Sequence, residues 1–129
     1  MADQNLVKWR TEHLDSVSES FCAAKWYNAS LHLGHGFTNS CHLPLPHPID
    51  LEEIKTNPSA LHNTAFKKKI RKMMLEGVRP AECSYCWKVE DIGNDSIGDR
   101  VFKSRIYSDE DIAELAELPW DYDIPLKTV

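Results

Sequence analysis

The four cysteines constrain this 129-residue chain more than anything else in it. Cys83 and Cys86 form a C-x2-C pair, Cys83-Ser84-Tyr85-Cys86, while Cys22 and Cys41 lie far upstream, 18 residues apart, with Gly34 and Gly36 between them. A C-x2-C loop can point two thiolates at one tetrahedral ion or at two irons of one cluster. Two thiolates leave such a centre half-filled, and the chain offers two more with none left over. The spacing reads as one four-ligand centre built from Cys22, Cys41, Cys83 and Cys86. The competing reading is four ordinary buried thiols, since free cysteine is among the most buried residue types. A centre would close a loop of about 40 residues between Cys41 and Cys83. Structural zinc in small peptides is worth about 10–16 kcal/mol of apparent binding free energy. A tie of that size decides whether a hairpin and a few short helices fold at all.

The length allows one domain. No apolar run approaches the roughly 20 residues of a spanning helix, so no membrane partner is expected. The opening Met1-Ala2-Asp3-Gln4-Asn5 lacks the basic and apolar regions of a secretory signal. A reducing, cytoplasmic location follows as the expectation, and there cysteines bind metals or do chemistry more often than they pair. A net charge of −5 argues against nucleic acid as a partner. Residues 67–72, KKKIRK, hold five positive groups, and residues 108–123 hold seven acids and no base. Both segments read as solvated helix faces, with pairing between them as the alternative.

Patterning suggests an α+β fold: a small β-hairpin plus three short helices organised around a four-cysteine metal or iron–sulfur centre. Residues 1–20 read as a polar lead-in with one helical turn near Leu6–Trp9. Residues 25–33 alternate, with Tyr27, Ala29, Leu31 and Leu33 on one face, which is a strand pattern. Phe37 to Leu43 alternates again, and Gly34-His35-Gly36 supplies the turn. Pro44, Pro46 and Pro48 end this hairpin. Asp50 caps a short helix over Leu51–Lys55, and Asn57-Pro58 marks a turn. Residues 64–76 form the best helix, capped by Asn63 or Thr64 and stopped at Gly77, with Phe66, Ile70, Met73 and Met74 as its apolar stripe. Residues 92–100 read as a glycine-bearing loop. Ser108 opens an acidic helix with Ile112, Leu115, Ala116 and Leu118 inward, stopped by Pro119. The tail, Ile124 to Val129, looks like the start of a strand without a partner in the chain.

Spacing alone does not choose zinc over iron–sulfur, since both accept four thiolates. The upstream pair, Cys22-x13-Gly36-x4-Cys41, resembles the opening of the SPASM and twitch domains, the auxiliary iron–sulfur modules of radical SAM enzymes. Phe21-Cys22 followed by Trp26 is similar to their cysteine–proline–tryptophan opening, although Lys25 stands where proline is usual. The basic run Phe66–Gly77, leading into Cys83-Ser84-Tyr85-Cys86-Trp87 and Glu90-Asp91, is similar as well. The resemblance spans roughly residues 20–105. It implies a cluster-binding domain over 21–106, followed by an acidic helix and strand-like tail over 107–129 that lead toward a radical core. It further implies that Cys22, Cys41, Cys83 and Cys86 hold one auxiliary [4Fe–4S] cluster, and that the partners are a radical SAM core domain or chain and a peptide substrate.

Two departures limit the implied activity. Ile92 stands where a full SPASM module has a further cysteine, so the match is twitch-like. The C-x3-C-x2-C motif that binds the catalytic cluster and S-adenosylmethionine is absent from the sequence, so no SAM-cleaving site is expected in this chain. The alternative is a four-cysteine module in which Zn2+ is structural and the surface mediates protein contacts. A third reading uses Cys83 and Cys86 as a redox dithiol, against which the βαβ context is missing. His42 and His47 are candidate replacements for a thiolate at zinc, or surface histidines. Trp26 and Trp87 screen the centre from water or serve as core aromatics. Glu90, Asp91 and the stretch 96–100 are candidates for substrate or core contact, or a loop with an internal Asp–Arg pair. Met73 and Met74 read as core.

Overall fold

A computed structural model describes residues 4–32, 34–41, 46–93, 96–125 and 127. The architecture is α+β, a small three-stranded antiparallel sheet together with a set of short helices. Helix α1 (Gln4–Arg10) runs into a π-helical turn over Thr11–Asp15. The segment read as a polar lead-in is thus helical, and it belongs to the core. Leu14 is fully buried, and Leu6, Trp9 and Val17 pack against the same cluster. Its polarity masked this, because four widely spaced apolar side chains suffice for one inward stripe.

The expected strand over 25–33 is shorter than its alternation suggests. Ala24–Tyr27 is helix α2, with the amides of Tyr27 and Asn28 donating to the carbonyls of Ala23 and Ala24. All four of its residues are buried, so both faces of an alternating pattern lie inside and the period decides nothing. Strand β1 (Ser30–His32) pairs antiparallel with β2 (Phe37–Asn39) in the register Ser30↔Asn39, Leu31↔Thr38, His32↔Phe37. Gly36 takes the turn at φ +72°. The prolines do not end the sheet there: β3 (His47–Pro48) adds an edge to β2. Proline is tolerated at an edge because its missing N–H costs no ladder bond. Leu33 and residues 42–45 lie outside the described residues.

Helix α3 (Leu51–Thr56) is capped by Asp50, whose carboxylate accepts from the Glu52 amide at 2.9 Å. A 3-10 turn over Pro58–Leu61 follows, with Asn57 as its cap. Helix α4 (Ala65–Leu75) has Thr64 as N-cap, with Gly77 at φ +77° just beyond it. Its helical period is as expected but its phase is not. The buried face is Lys67, Ile70, Arg71 and Met74, while Phe66 is 42% exposed. Two of the five basic groups read as solvated are therefore inside. Their long aliphatic stems cover apolar surface, and their heads find oxygen acceptors: Thr38 Oγ1 for Lys67, and the Lys25 carbonyl and Asn63 Oδ1 for Arg71.

The C-x2-C motif opens helix α5 (Ser84–Glu90), and α6 (Asp99–Ser104) shortens the expected loop at its far end. Helix α7 (Asp109–Leu115) is capped by Ser108, whose hydroxyl accepts from the Asp111 amide. Ile112 and Leu115 are its inward residues, and Ala116 faces out. The tail has partners after all. Ile124 is buried, its carbonyl accepts from Asn63, and the Lys127 amide donates to the Tyr27 carbonyl at 2.9 Å. The alternative of pairing between the basic and acidic segments is met, among the described residues, by Lys68 and Asp123 at 2.7 Å. No helix of the described residues is long and apolar enough to cross a membrane.

Candidate metal centre

Three separate segments deliver the four cysteines. Cys22 precedes α2, Cys41 follows β2, Cys83 sits at the N-terminus of α5 and Cys86 lies in its first turn. All four are free thiols, 7–8% exposed, and all four line one pocket. The cavity between them is small, about 20 Å³, room for about one water molecule. Its lining also includes Lys25, Arg100, Lys103 and Asp99, so three cations stand around the thiols, with Glu82 paired to Lys25.

The expectation of elements organised around a formed metal centre is corrected in one respect. Among the described residues, no three of His, Cys, Asp or Glu are arranged to hold a metal ion. A single zinc with Zn–S near 2.3 Å draws its sulfurs to within about 4 Å of one another. The thiols share a pocket without that convergence.

Burial pushes the thiols up: Cys83 to about 11, Cys86 to about 12, and Cys22 also above its ordinary value. They are protonated at neutral pH, and a metal must displace those protons to bind. Groups that favour the thiolate are already in place. The Ala24 amide donates to the Cys22 sulfur, the Arg100 amide to Cys86, and the Lys25 ammonium to Cys83. Raised thiols count against Cys83 and Cys86 as a reactive dithiol, which needs a depressed value.

The Arg100 amide reaches Cys86 because the chain passes very close at Gly98. A Cβ there would lie 2.6 Å from Glu90 Oε2 and 3.2 Å from the Cys86 carbonyl, so only glycine fits without displacing the carboxylate. That carboxylate holds the Arg100 guanidinium at 2.7 Å, with Asp15 on its other side at 2.7 Å and the Phe21 carbonyl at 2.8 Å. Arg100 thereby ties the segments of Cys22 and Cys86 together. The expected Asp–Arg pair within the loop is replaced by these longer-range partners. Asp91 turns outward to Arg79.

Trp87 lines the pocket and anchors its indole N–H on the Pro80 carbonyl at 2.9 Å, whereas Trp26 stacks with Phe21 in the core. Met74 is both core and pocket wall; Met73 is half-buried. His47 is away from the thiols, bonded to Thr64 and stacked on Phe66. His42 lies outside the described residues. The cations at the site were missed in the sequence. Lys25 stands three residues after a candidate ligand, and Arg100 lies in the stretch 96–100 read as a contact loop rather than as part of the centre; Lys103 carried no signal. No family model matches the chain, and comparison with curated proteins and with solved structures finds no match.

Proposed function

We propose that the chain is an auxiliary [4Fe–4S] cluster-binding domain of the twitch type, working with a radical SAM core on another domain or chain. Cys22, Cys41, Cys83 and Cys86 would be the ligands. When bound, such a cluster, with a cysteine on every iron, would supply one-electron chemistry. The protein's own residues bring the thiols to one pocket, aim N–H donors at three of the sulfurs, exclude water with Trp87 and Met74, and surround the site with cations. A peptide is the substrate class implied by the resemblance.

The observation that supports this reading is the shared pocket itself. Four cysteines distant in sequence are the only four in the chain, and all of them line it. Buried positive charge around protonated thiols is a costly arrangement unless an anionic centre compensates it. A four-thiolate zinc site is the competing occupant. It has the same charge and the same shared pocket in its favour.

Anaerobic purification with iron, sulfide and zinc analysis and a visible spectrum tests the reading. Iron and sulfide near four each per chain, lost together in Cys83→Ser, is the expected result. A colourless protein with one zinc that takes up no iron on anaerobic reconstitution would overturn it.

A further inference from the structure

Four cationic side chains are buried around the thiols or directly behind them: Lys25, Lys67, Arg71 and Arg100, none more than 3% exposed. Arg100 is matched by Glu90 and Asp15. Lys67 and Arg71 bond only neutral oxygens. Lys25 lies between these two situations. Its ammonium contacts the Glu82 carboxylate at 2.5 Å and also donates to the Cys83 sulfur. The side chain of Lys25 is 4% exposed and that of Glu82 is 18% exposed. The cation faces the pocket from inside, while its counter-ion sits nearer water.

We propose that Lys25 is a positioning residue for the centre, a buried counter-charge that holds the cysteine-bound cluster at a higher reduction potential than its thiolates alone would give. The inference rests on the cluster reading above. Adding one electron to a four-thiolate cluster adds one negative charge, and a fixed cation at contact distance stabilises the reduced form more than the oxidised one. The site is largely dry, so salt screens this little. Glu82 opposes the effect, but its partial exposure lets solvent weaken its field at the thiols. Arg71 extends the field from behind, because its Nε donates to the carbonyl of Lys25 itself at 2.8 Å. Lys25 has no role of this kind as a surface lysine or as a helix former. Its head is inside, and its ammonium is shared between one carboxylate and a sulfur.

The test is a reduction potential on the reconstituted full chain, titrated anaerobically with dithionite through mediators and read by electron paramagnetic resonance. Lys25→Met keeps the bulk and removes the charge. The expected result is a fall of at least tenfold in the reduced-to-oxidised ratio at a given potential, about 59 mV for one electron. Lys25→Arg should restore the wild-type value. Glu82→Gln keeps the lysine and removes its opponent, and should shift the potential the other way by a smaller amount. Should Lys25→Met fail to fold or to load, the sign of the Glu82→Gln shift decides alone. A wild-type chain that takes up no iron and sulfide overturns the cluster reading and this inference with it. A wild-type chain that loads, with Glu82→Gln or Lys25→Met left within about twofold of it, overturns the inference alone.

Discussion

Arg100 and Arg71 are both fully inside the molecule, 3% and 0% exposed, and they are held in opposite ways. Around Arg100 the chain assembles Glu90, Asp15 and a carbonyl, so the guanidinium is held well above its already high ordinary value, its burial outweighed by those carboxylates. Around Arg71 it assembles a carbonyl and an amide oxygen, leaves Nη2 without a partner, and burial pulls the group down to about 10. Lys67, one turn away, is pulled down to about 7 by burial and by Arg71 and Lys25. His62, bonded to the Trp26 carbonyl, is pulled down to about 4 by burial and by Arg71 and Lys67. One region is electrostatically complete; the other holds positive charge that neutral oxygens only partly satisfy. Completed sites of the first kind fix geometry. The second kind is affordable in a small domain only if something negative is expected nearby, and four thiolates are the candidate.

Arg100→Met is the harshest way to break the comparison. It leaves Glu90, 8% exposed at its side chain, with a buried charge whose closest cationic partner is gone, and it frees the segments of Cys22 and Cys86 from each other. Removing one member of a buried pair costs about 3–5 kcal/mol. Urea unfolding of the metal-free chain should show a loss of that order, and a change below about 1 kcal/mol would mean that Arg10, 3.8 Å from Glu90, carries the site instead.

The pH dependence separates the regions next. A group whose folded value is depressed binds more protons unfolded, so its contribution falls as pH drops from the unfolded value toward the folded one. For His62 that window runs from about 6.5 down to about 4, and its loss is about 2–3 kcal/mol. Lys67 acts between about 10.5 and about 7 in the same sense. Raised thiols oppose it above about 9, because there the unfolded chain loses protons that the fold keeps. Stability of the metal-free chain should therefore rise by about 2 kcal/mol from pH 7 to pH 9, one proton's worth of linkage at most. Lys67→Met should flatten that rise, measured by urea midpoints under reductant. A slope unchanged in the variant would place the titration elsewhere.

This contrast also shows what the sequence could reveal. Caps were legible because they depend on neighbours in the chain: Asp50, Thr64 and Ser108 all accept the amides their positions promised. The meeting of Cys22, Cys41, Cys83 and Cys86 was legible from number and spacing, although their unligated arrangement was not. The phase of α4 was hidden, since Lys67 and Arg71 look solvent-bound until Thr38, Asn63 and the Lys25 carbonyl arrive from 8 to 46 residues away. Helix α2 was hidden because every one of its side chains is inside, which erases the periodicity on which the distinction from a strand depends.

Arg71→Met sharpens the same comparison at smaller amplitude. In the metal-free chain it leaves two acceptors unsatisfied, a cost of about 1–3 kcal/mol, and relieves a poorly solvated charge that offsets much of it. The net loss should be under half that of Arg100→Met. With the anionic centre in place the relief disappears, so the same substitution should cost more in the reconstituted protein than in the metal-free one. Equal losses in the two states would break the link between the cations behind α2 and the centre.

The smallest effect is expected where charge meets charge at the surface. Lys68 sits between the two buried cations in sequence but on the outer side of α4, and it pairs with Asp123 at 2.7 Å, a carboxylate 43% exposed. Asp123 also accepts from Asn57 at 3.2 Å and from Ser59, so removing the lysine leaves it those partners and water. Exposed pairs are worth about 0.2–1 kcal/mol and weaken with salt. Lys68→Ala should shift the urea midpoint by no more than that, and the shift should vanish at about 1 M salt, where the screening length is about 3 Å. A salt-insensitive loss as large as that of Arg71→Met would mean that the acidic tail completes the electrostatics of α4, and that its buried cations already have their counter-charge without the thiols.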